Sequence, residues 1–146
     1  NNVSDFYSEI MAENQTSARA NNVELICQCD QDLFGYFDDG LIRGVIDNLI
    51  GNGMRYTKDK LLLSAEEKDG YLALRVDDNG RGYPDEMLEL QEAKDIHSRI
   101  AEGRTQLGLY FAKQIAEMHV NNGKKGRIKL ENNGLLGGGS FSIFLP

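Results

Sequence analysis

Two short motifs, thirty residues apart, constrain this 146-residue chain more than any other feature. The first, Asn48-Leu-Ile-Gly-Asn52-Gly-Met-Arg55-Tyr56-Thr57, sits inside a helical pattern of apolar residues. The second, Asp78-Asn-Gly80-Arg-Gly82, follows directly on a strand-like run from Tyr71 to Asp77. A helix carrying two amides and a cation is thus set against a strand that ends in a carboxylate and two glycines. That pairing calls for helices laid over a sheet.

On a helical wheel Ile42, Ile46, Leu49 and Gly53 fall within a sector about 60° wide, the expected buried stripe. Asn48, Asn52 and Arg55 occupy an adjoining sector, with Val45 and Tyr56 between the two. A merely solvated face would more often be charged and would point directly away from the core. Asn inside a helix is also mildly unfavourable, because its amide competes for backbone bonds. The stripe reads equally as a site or as a polar helix flank. Asp47 lies about 100° around from Asn48 and does not substitute for it. The Asp78-x-Gly80-x-Gly82 run reads either as a plain turn or as a carboxylate with backbone close beside it.

The rest of the chain supplies the frame. Ser4 or Asp5 is expected to cap a leading helix within residues 1–20, with Phe6, Ile10, Met11 and Ala18 on its apolar side. Val23 to Cys29 alternates as a strand. A long helix runs from Asp38 or Asp39 to Arg55, then a hairpin joins Lys60–Glu66 to Tyr71–Asp77 around Lys68-Asp69-Gly70. Pro84 starts a short helix, and Gln91 to Gln106 is polar, expected as a mobile loop with some helical content. Leu107 to Val120 forms a helix, and Gly126–Glu131 and Ser140–Leu145 are strands joined by the glycine-rich Asn132–Gly139. The expectation is one α+β domain over 1–146, a two-layer sandwich. Its mixed, mainly antiparallel sheet of about five strands carries about three helices on one face.

Charge narrows the partners. With 16 basic and 23 acidic residues the net charge is −7, which argues against nucleic-acid or anionic-membrane binding. A few placed donors can still hold phosphates locally. Apolar runs fall short of the ~20 residues of a spanning helix, so direct membrane insertion is not expected. From the start without Met, the chain is expected to be part of something longer. Cys27 and Cys29 are expected as free, core or half-buried thiols, consistent with a cytoplasmic setting. His97 is expected on a loop surface and His119 at a helix end, neither catalytic. P-loop and protein-kinase signatures are missing from the sequence.

The chemistry of the two motifs suits a magnesium nucleotide. The glycines let backbone approach a ligand, the carboxylate can accept from an exocyclic amine, and the amides can reach a metal and phosphates. Gly103-Arg-Thr-Gln-Leu107-Gly108-Leu109 opens a helix whose N–H groups are a ready phosphate site, or else is an ordinary helix start.

These motifs, in this order, resemble those of the ATP-binding catalytic domain of bacterial sensor histidine kinases, a branch of the GHKL (Bergerat-fold) ATPases. Asp38 to Thr57 is similar to the family's N box and Val76 to Pro84 to its first glycine box. Leu107-Gly-Leu-Tyr-Phe-Ala-Lys-Gln-Ile-Ala-Glu-Met-His119 is similar to the second glycine box and its helix, and Gly138 to Pro146 to the closing strand. The resemblance implies ATP and Mg²⁺ as cofactors, with Asn52 as the metal ligand and Asn48 in support of phosphate or metal. It places Arg55 on phosphate, Tyr56 along the adenine, and Asp78 as acceptor from the adenine amine, with Gly80 and Gly82 giving access. Leu107, Gly108 and Leu109 would offer backbone N–H groups, and Ser140 would sit near the adenine carboxylate. Residues 84–106 would form the ATP lid. Arg104 and Gln106 stand where relatives usually carry glycines, and Arg104 is expected to reach phosphate.

Within that family, hydrolytic members carry Glu at the Asn48 position. An amide cannot act as that base, so a phosphotransferase is expected in place of a fast ATPase. The implied reaction is donation of the γ-phosphoryl group to a histidine on a separate dimerisation domain, within two-component signalling. No catalytic acceptor is expected in the chain itself. Expected partners are that phosphoacceptor domain and a response regulator, with a monomeric fragment and a homodimeric full protein. The expected location is cytoplasmic, with room for a tether to the inner membrane in the full-length protein. The alternatives are a degenerate module serving regulation or interaction, and an anti-sigma-factor serine kinase.

Overall fold

The computed structural model describes residues 1–90 and 104–146, with side chains at 90 and 104–107 outside that description. The leading helix α1 (Val3–Ala20) starts earlier than the sequence suggested: its cap is Asn2, whose side chain accepts from the Asp5 N–H at 2.9 Å. Asn2 is held there because the chain on either side pairs with 33–35, through Val3 N–H to the Leu33 carbonyl and Gly35 N–H to the Asn1 carbonyl. The helix buries Val3, Phe6, Tyr7, Ile10 and Ala18.

Strand β1 (Glu24–Gln28) leads by a loop to α2 (Asp39–Tyr56), capped by Asp38 through the Leu41 N–H at 2.9 Å. Its buried stripe takes in the predicted Ile42, Ile46, Leu49 and Gly53, and is widened by Val45 and Ile50. Arg43 ties the two helices together, pairing with Glu9 at 2.7 Å and Asp39 at 3.1 Å over the Phe6 ring. Asp47 accepts from Asn14 Nδ2 at 3.0 Å, so it belongs to the α1 contact.

Strands β2 (Lys60–Lys68) and β3 (Tyr71–Asp78) form the expected hairpin, with positive φ at Asp69 and Gly70. After α3 (Asp85–Leu90) and α4 (Arg104–Met118) comes a two-stranded ribbon the sequence reading did not foresee, β4 (Val120–Asn121) and β5 (Lys124–Lys125). It turns on Asn122-Gly123, both at positive φ, and its strands are too short to show a period. Strands β6 (Arg127–Glu131) and β7 (Ser140–Leu145) close the chain.

The main sheet runs β1-β2-β3-β7-β6, antiparallel except for the parallel β1–β2 pair, as expected for a mixed sheet. Register fixes its two faces. Leu61, Leu63, Leu72, Leu74, Val76, Leu130, Phe141, Ile143 and Leu145 turn to the helices and share one core with them. Ser64, Arg75, Asp77, Ser140 and Ser142 turn the other way. Among the described residues no helix is long and apolar enough to cross a membrane.

Cys27 and Cys29 are free and half-buried; burial pushes the Cys27 thiol up, and burial with Cys27 and Asp30 nearby pushes Cys29 up to about 11. Beside them the fully buried Tyr7 donates its hydroxyl to the Ser64 carbonyl at 2.7 Å, and burial holds that phenol well above the ordinary tyrosine range. Tyr7→Phe should therefore lower the unfolding free energy by about 1 kcal/mol in urea titration, the net worth of one hydrogen bond. An unchanged midpoint would show that the bond contributes nothing.

Candidate functional site

The two motifs meet at the open end of β3. Asp78, the last residue of that strand, is 2% exposed. Its Oδ1 accepts the Gly80 N–H at 2.9 Å and the Gly139 N–H at 3.2 Å. Both of those bonds fall on one oxygen, so Oδ2 receives none from the described residues. Burial raises the Asp78 carboxyl above its usual range, offset in part by the two backbone N–H groups and reinforced by neighbouring Asp77. A buried carboxylate with one oxygen satisfied and one to spare is an acceptor in wait for a donor.

Glycines bring backbone to that carboxylate from three directions. Gly80 packs against the Tyr56 carbonyl at the end of α2, so closely that a methyl group there would overlap it. Gly138 and Gly139 lie on Asp78 itself: the Gly138 N–H donates to the Asp78 carbonyl at 3.2 Å and the Asp78 N–H to the Gly139 carbonyl at 2.9 Å. Gly82 holds φ at +93°, a left-handed conformation that favours glycine, and turns the chain toward Asn132. Asn132 then clasps Tyr83 by both backbone groups, at 2.7 and 3.1 Å.

An aromatic wall flanks the carboxylate. Half-buried Tyr56 meets Tyr83 edge to face at 5.7 Å between centroids and donates to the Met87 sulfur at 3.6 Å. Tyr83 is itself buried, and burial near Asp78 pushes its phenol far up, keeping it neutral. A cleft of about 420 Å³ opens between Arg55, Tyr56, Thr57, Lys58, Gly80 and Arg81.

On the α2 flank, Asn48 and Arg55 are exposed and Asn52 is half-buried, one turn beyond Asn48. Helix α4 approaches at this point: a methyl on Gly108 would stand 2.5 Å from Asn48 Nδ2. The α2 flank is therefore met by α4 at Asn48 and by the Asp78 turn at Tyr56. Arg104 opens α4, and Leu109 is buried in the core; the side chains of Arg104 and Leu107 lie outside the described residues. So do His97 and residues 91–103 of the predicted lid.

Ser140 is the predicted site residue that stands apart. It pairs in register with Asp77, not Asp78, so strand alternation turns it to the opposite face. There its hydroxyl accepts from the Arg75 guanidinium at 2.9 Å. Conversely, the sequence reading missed Tyr83, Met87, Asn132, Gly138 and Gly139. The glycine-rich run 132–139 was the available signal, read there as a connection, with Gly138 and Gly139 also counted toward the closing strand. His119 is a joint between helices, as a helix-end residue can be: Nδ1 lies 2.9 Å from the Ile115 carbonyl, and Nε2 accepts the Asp38 N–H at 3.2 Å.

Comparison with known proteins bears on the family and the fold. A family model described as histidine kinase-, DNA gyrase B-, and HSP90-like ATPase matches residues 37–146. The chain is 29% identical over 126 residues to the sensor protein kinase WalK of Staphylococcus epidermidis, covering 80% of this chain and 19% of that protein. It is 28% identical over 100 residues to the sensor histidine kinase WalK of Bacillus subtilis, covering 62% of this chain and 16% of the relative. The chain thus spans less than a fifth of the length of these curated relatives. The nucleotide-free catalytic domain of histidine kinase ThkA superposes with a TM-score of 0.79 at 23% identity, over 100% of this chain and 92% of that one. The histidine kinase AdeS of Acinetobacter baumannii gives 0.71 at 22%, over 99% of this chain and 64% of that one. At those identities the structural likeness establishes the fold, an α+β sandwich shared with histidine kinase catalytic domains.

Proposed function

The chain belongs to the histidine kinase-, DNA gyrase B-, and HSP90-like ATPase family, and from that premise we propose that it binds Mg-ATP at the Asp78 end and donates the γ-phosphoryl group to a histidine on a separate dimerisation domain. The observation that carries this reading is the Asp78 carboxylate, buried, anchored through Oδ1 and left with Oδ2 to accept an exocyclic amine. Tyr56 and Tyr83 form an apolar wall for a flat base beside it.

The residues of the α2 flank fit the charged end of such a ligand. Amide oxygens are hard donors suited to Mg²⁺, which keeps several waters and takes few protein ligands. Asn52 would hold the ion, with Asn48 one turn away in support and Arg55 on phosphate. The bound ion would neutralise charge on the phosphates. Gly80 and Gly82 let the Asp78 turn pack closely on Tyr56 and Asn132, which shapes the pocket, and Gly108 packs close to Asn48. Because α4 already begins at Arg104, the N–H groups of Gly108 and Leu109 bond within the helix, and phosphates would be met by the free N–H groups of its opening turn instead. Arg104 adds a cation at the same helix start. Asn48 is an amide and cannot deprotonate water, so the site holds the nucleotide without promoting hydrolysis. The acceptor would be a neutral imidazole brought in line from the dimerisation domain, and a response regulator would take the phosphoryl group onward.

Two measurements test this. Full-length protein incubated with γ-labelled ATP should acquire an acid-labile, base-stable label; acid-stable label on a hydroxyl would favour a serine kinase, and no label would refute phosphotransfer. Asn52→Ala should remove most of the Mg²⁺ dependence of nucleotide binding in calorimetry. An unaltered metal response would place the ion elsewhere.

A further inference from the structure

The place where α2, β2 and the Asp78 turn are joined is the side chain of Asn79. Its Oδ1 accepts three successive backbone N–H groups, Lys58 at 3.2 Å, Asp59 at 3.0 Å and Lys60 at 3.1 Å. Its Nδ2 donates to Asp59 Oδ1 at 2.6 Å. The Asn79 N–H points back to the Thr57 hydroxyl at 3.4 Å, and that hydroxyl donates to the Lys60 carbonyl at 2.5 Å. Asp59 in turn accepts the Glu24 N–H through its carbonyl, at the start of β1. One amide therefore fastens the whole 57–60 connection to the residue that follows Asp78.

That connection begins where α2 ends, directly after Arg55 and Tyr56. On the other side of Asn79, Gly80 rests on the Tyr56 carbonyl and gives its N–H to Asp78 Oδ1. The distance from the aromatic wall to the acceptor carboxylate is thus set by a short closed loop of contacts through Asn79. Chemistry explains why the residue is an amide. A carboxylate could accept the same three N–H groups, but its second oxygen would then lie against Asp59 Oδ1.

We infer that Asn79 is a positioning residue of the nucleotide site: it fixes Tyr56 relative to Asp78 and so sets how strongly the site prefers a purine carrying a 6-amino group. This rests on the nucleotide reading above. The test uses ADP and inosine diphosphate, which lacks that amino group, with affinities and thermal stability measured on the same folded samples. A residue that only stabilised the fold would shift the melting temperature and leave the ratio of the two affinities alone.

Asn79→Ala should reduce the ADP-over-inosine diphosphate preference by about tenfold, the loss of one well-aligned hydrogen bond. Asn79→Asp should reduce it as well, and the double variant Asn79→Asp with Asp59→Asn should restore it, because the donor and acceptor have exchanged places. A folded Asn79→Ala protein with the wild-type preference would overturn the inference alone, as would a preference still lost in the double variant. Wild-type protein that binds both nucleotides equally, or neither, would overturn the reading of Asp78 and this inference with it.

Discussion

Asp78→Asn should lower the affinity for ADP by at least about 1–3 kcal/mol, roughly 5- to 150-fold, while the domain stays folded. The substituted amide still offers an oxygen to the Gly80 and Gly139 N–H groups, so the local turn survives. What changes is the other atom: a donor replaces Oδ2 and meets the donor of the base. Stability should move oppositely, and pH reveals it. Burial lifts the folded-state pKa of Asp78 above its unfolded value, so ionisation costs the folded state more than the unfolded one. That cost vanishes below the ordinary carboxylate range, grows as pH rises through it toward the folded value, and is constant above. The variant should therefore gain stability relative to wild type between acid and neutral pH. Paired thermal unfolding at several pH values, with calorimetric titration of ADP, checks both signs. Unchanged ADP affinity would show that the pocket is misassigned.

Gly80→Ala should destabilise the domain by about 3 kcal/mol, at the upper end of overpacking costs. The added methyl would overlap the Tyr56 carbonyl, stand 2.7 Å from its carbonyl carbon and meet Thr57 Cα at 3.2 Å. All three are backbone atoms, so no side-chain rotation relieves the contact. The end of α2 and the Asp78 turn must separate, and Tyr56 moves away from Tyr83. The same substitution should therefore weaken ADP binding as well as shift the urea midpoint, in contrast to Asp78→Asn, which separates the two effects. A midpoint within experimental error of wild type would contradict the close approach described for this turn.

The sequence was most informative where a local period and a chemical oddity coincide. The α2 stripe could be read because its amides interrupt an otherwise apolar flank, and Asp78 because a carboxylate ends an apolar strand. Both hairpin strands and their turn were legible for the same local reason. Ser140 was not, because its face depends on pairing with Asp77 across a non-local register. Had Asp78 been its partner, alternation would have put the hydroxyl in the site. Gly138, Gly139 and Asn132 escaped notice because loop glycines look alike until a partner approaches them. Tyr83 and Met87 were hidden similarly, since one wall of the site comes from α2 and the other from the segment after β3. Asn79 was passed over as the variable letter between Asp and Gly, although its amide makes more hydrogen bonds than either neighbour's side chain. The parallel β1–β2 pair followed from the α2 crossover, a connection that local patterning alone does not orient.

The central claim is a working nucleotide pocket at the Asp78 end of the sheet, and calorimetric titration of this chain tests it most directly. ADP and a non-hydrolysable ATP analogue would be titrated with and without Mg²⁺ into protein shown to be folded by its unfolding transition. The proposed function predicts saturable binding, strengthened by Mg²⁺ for the analogue. A folded chain that takes up neither nucleotide, with or without the ion, would contradict the account.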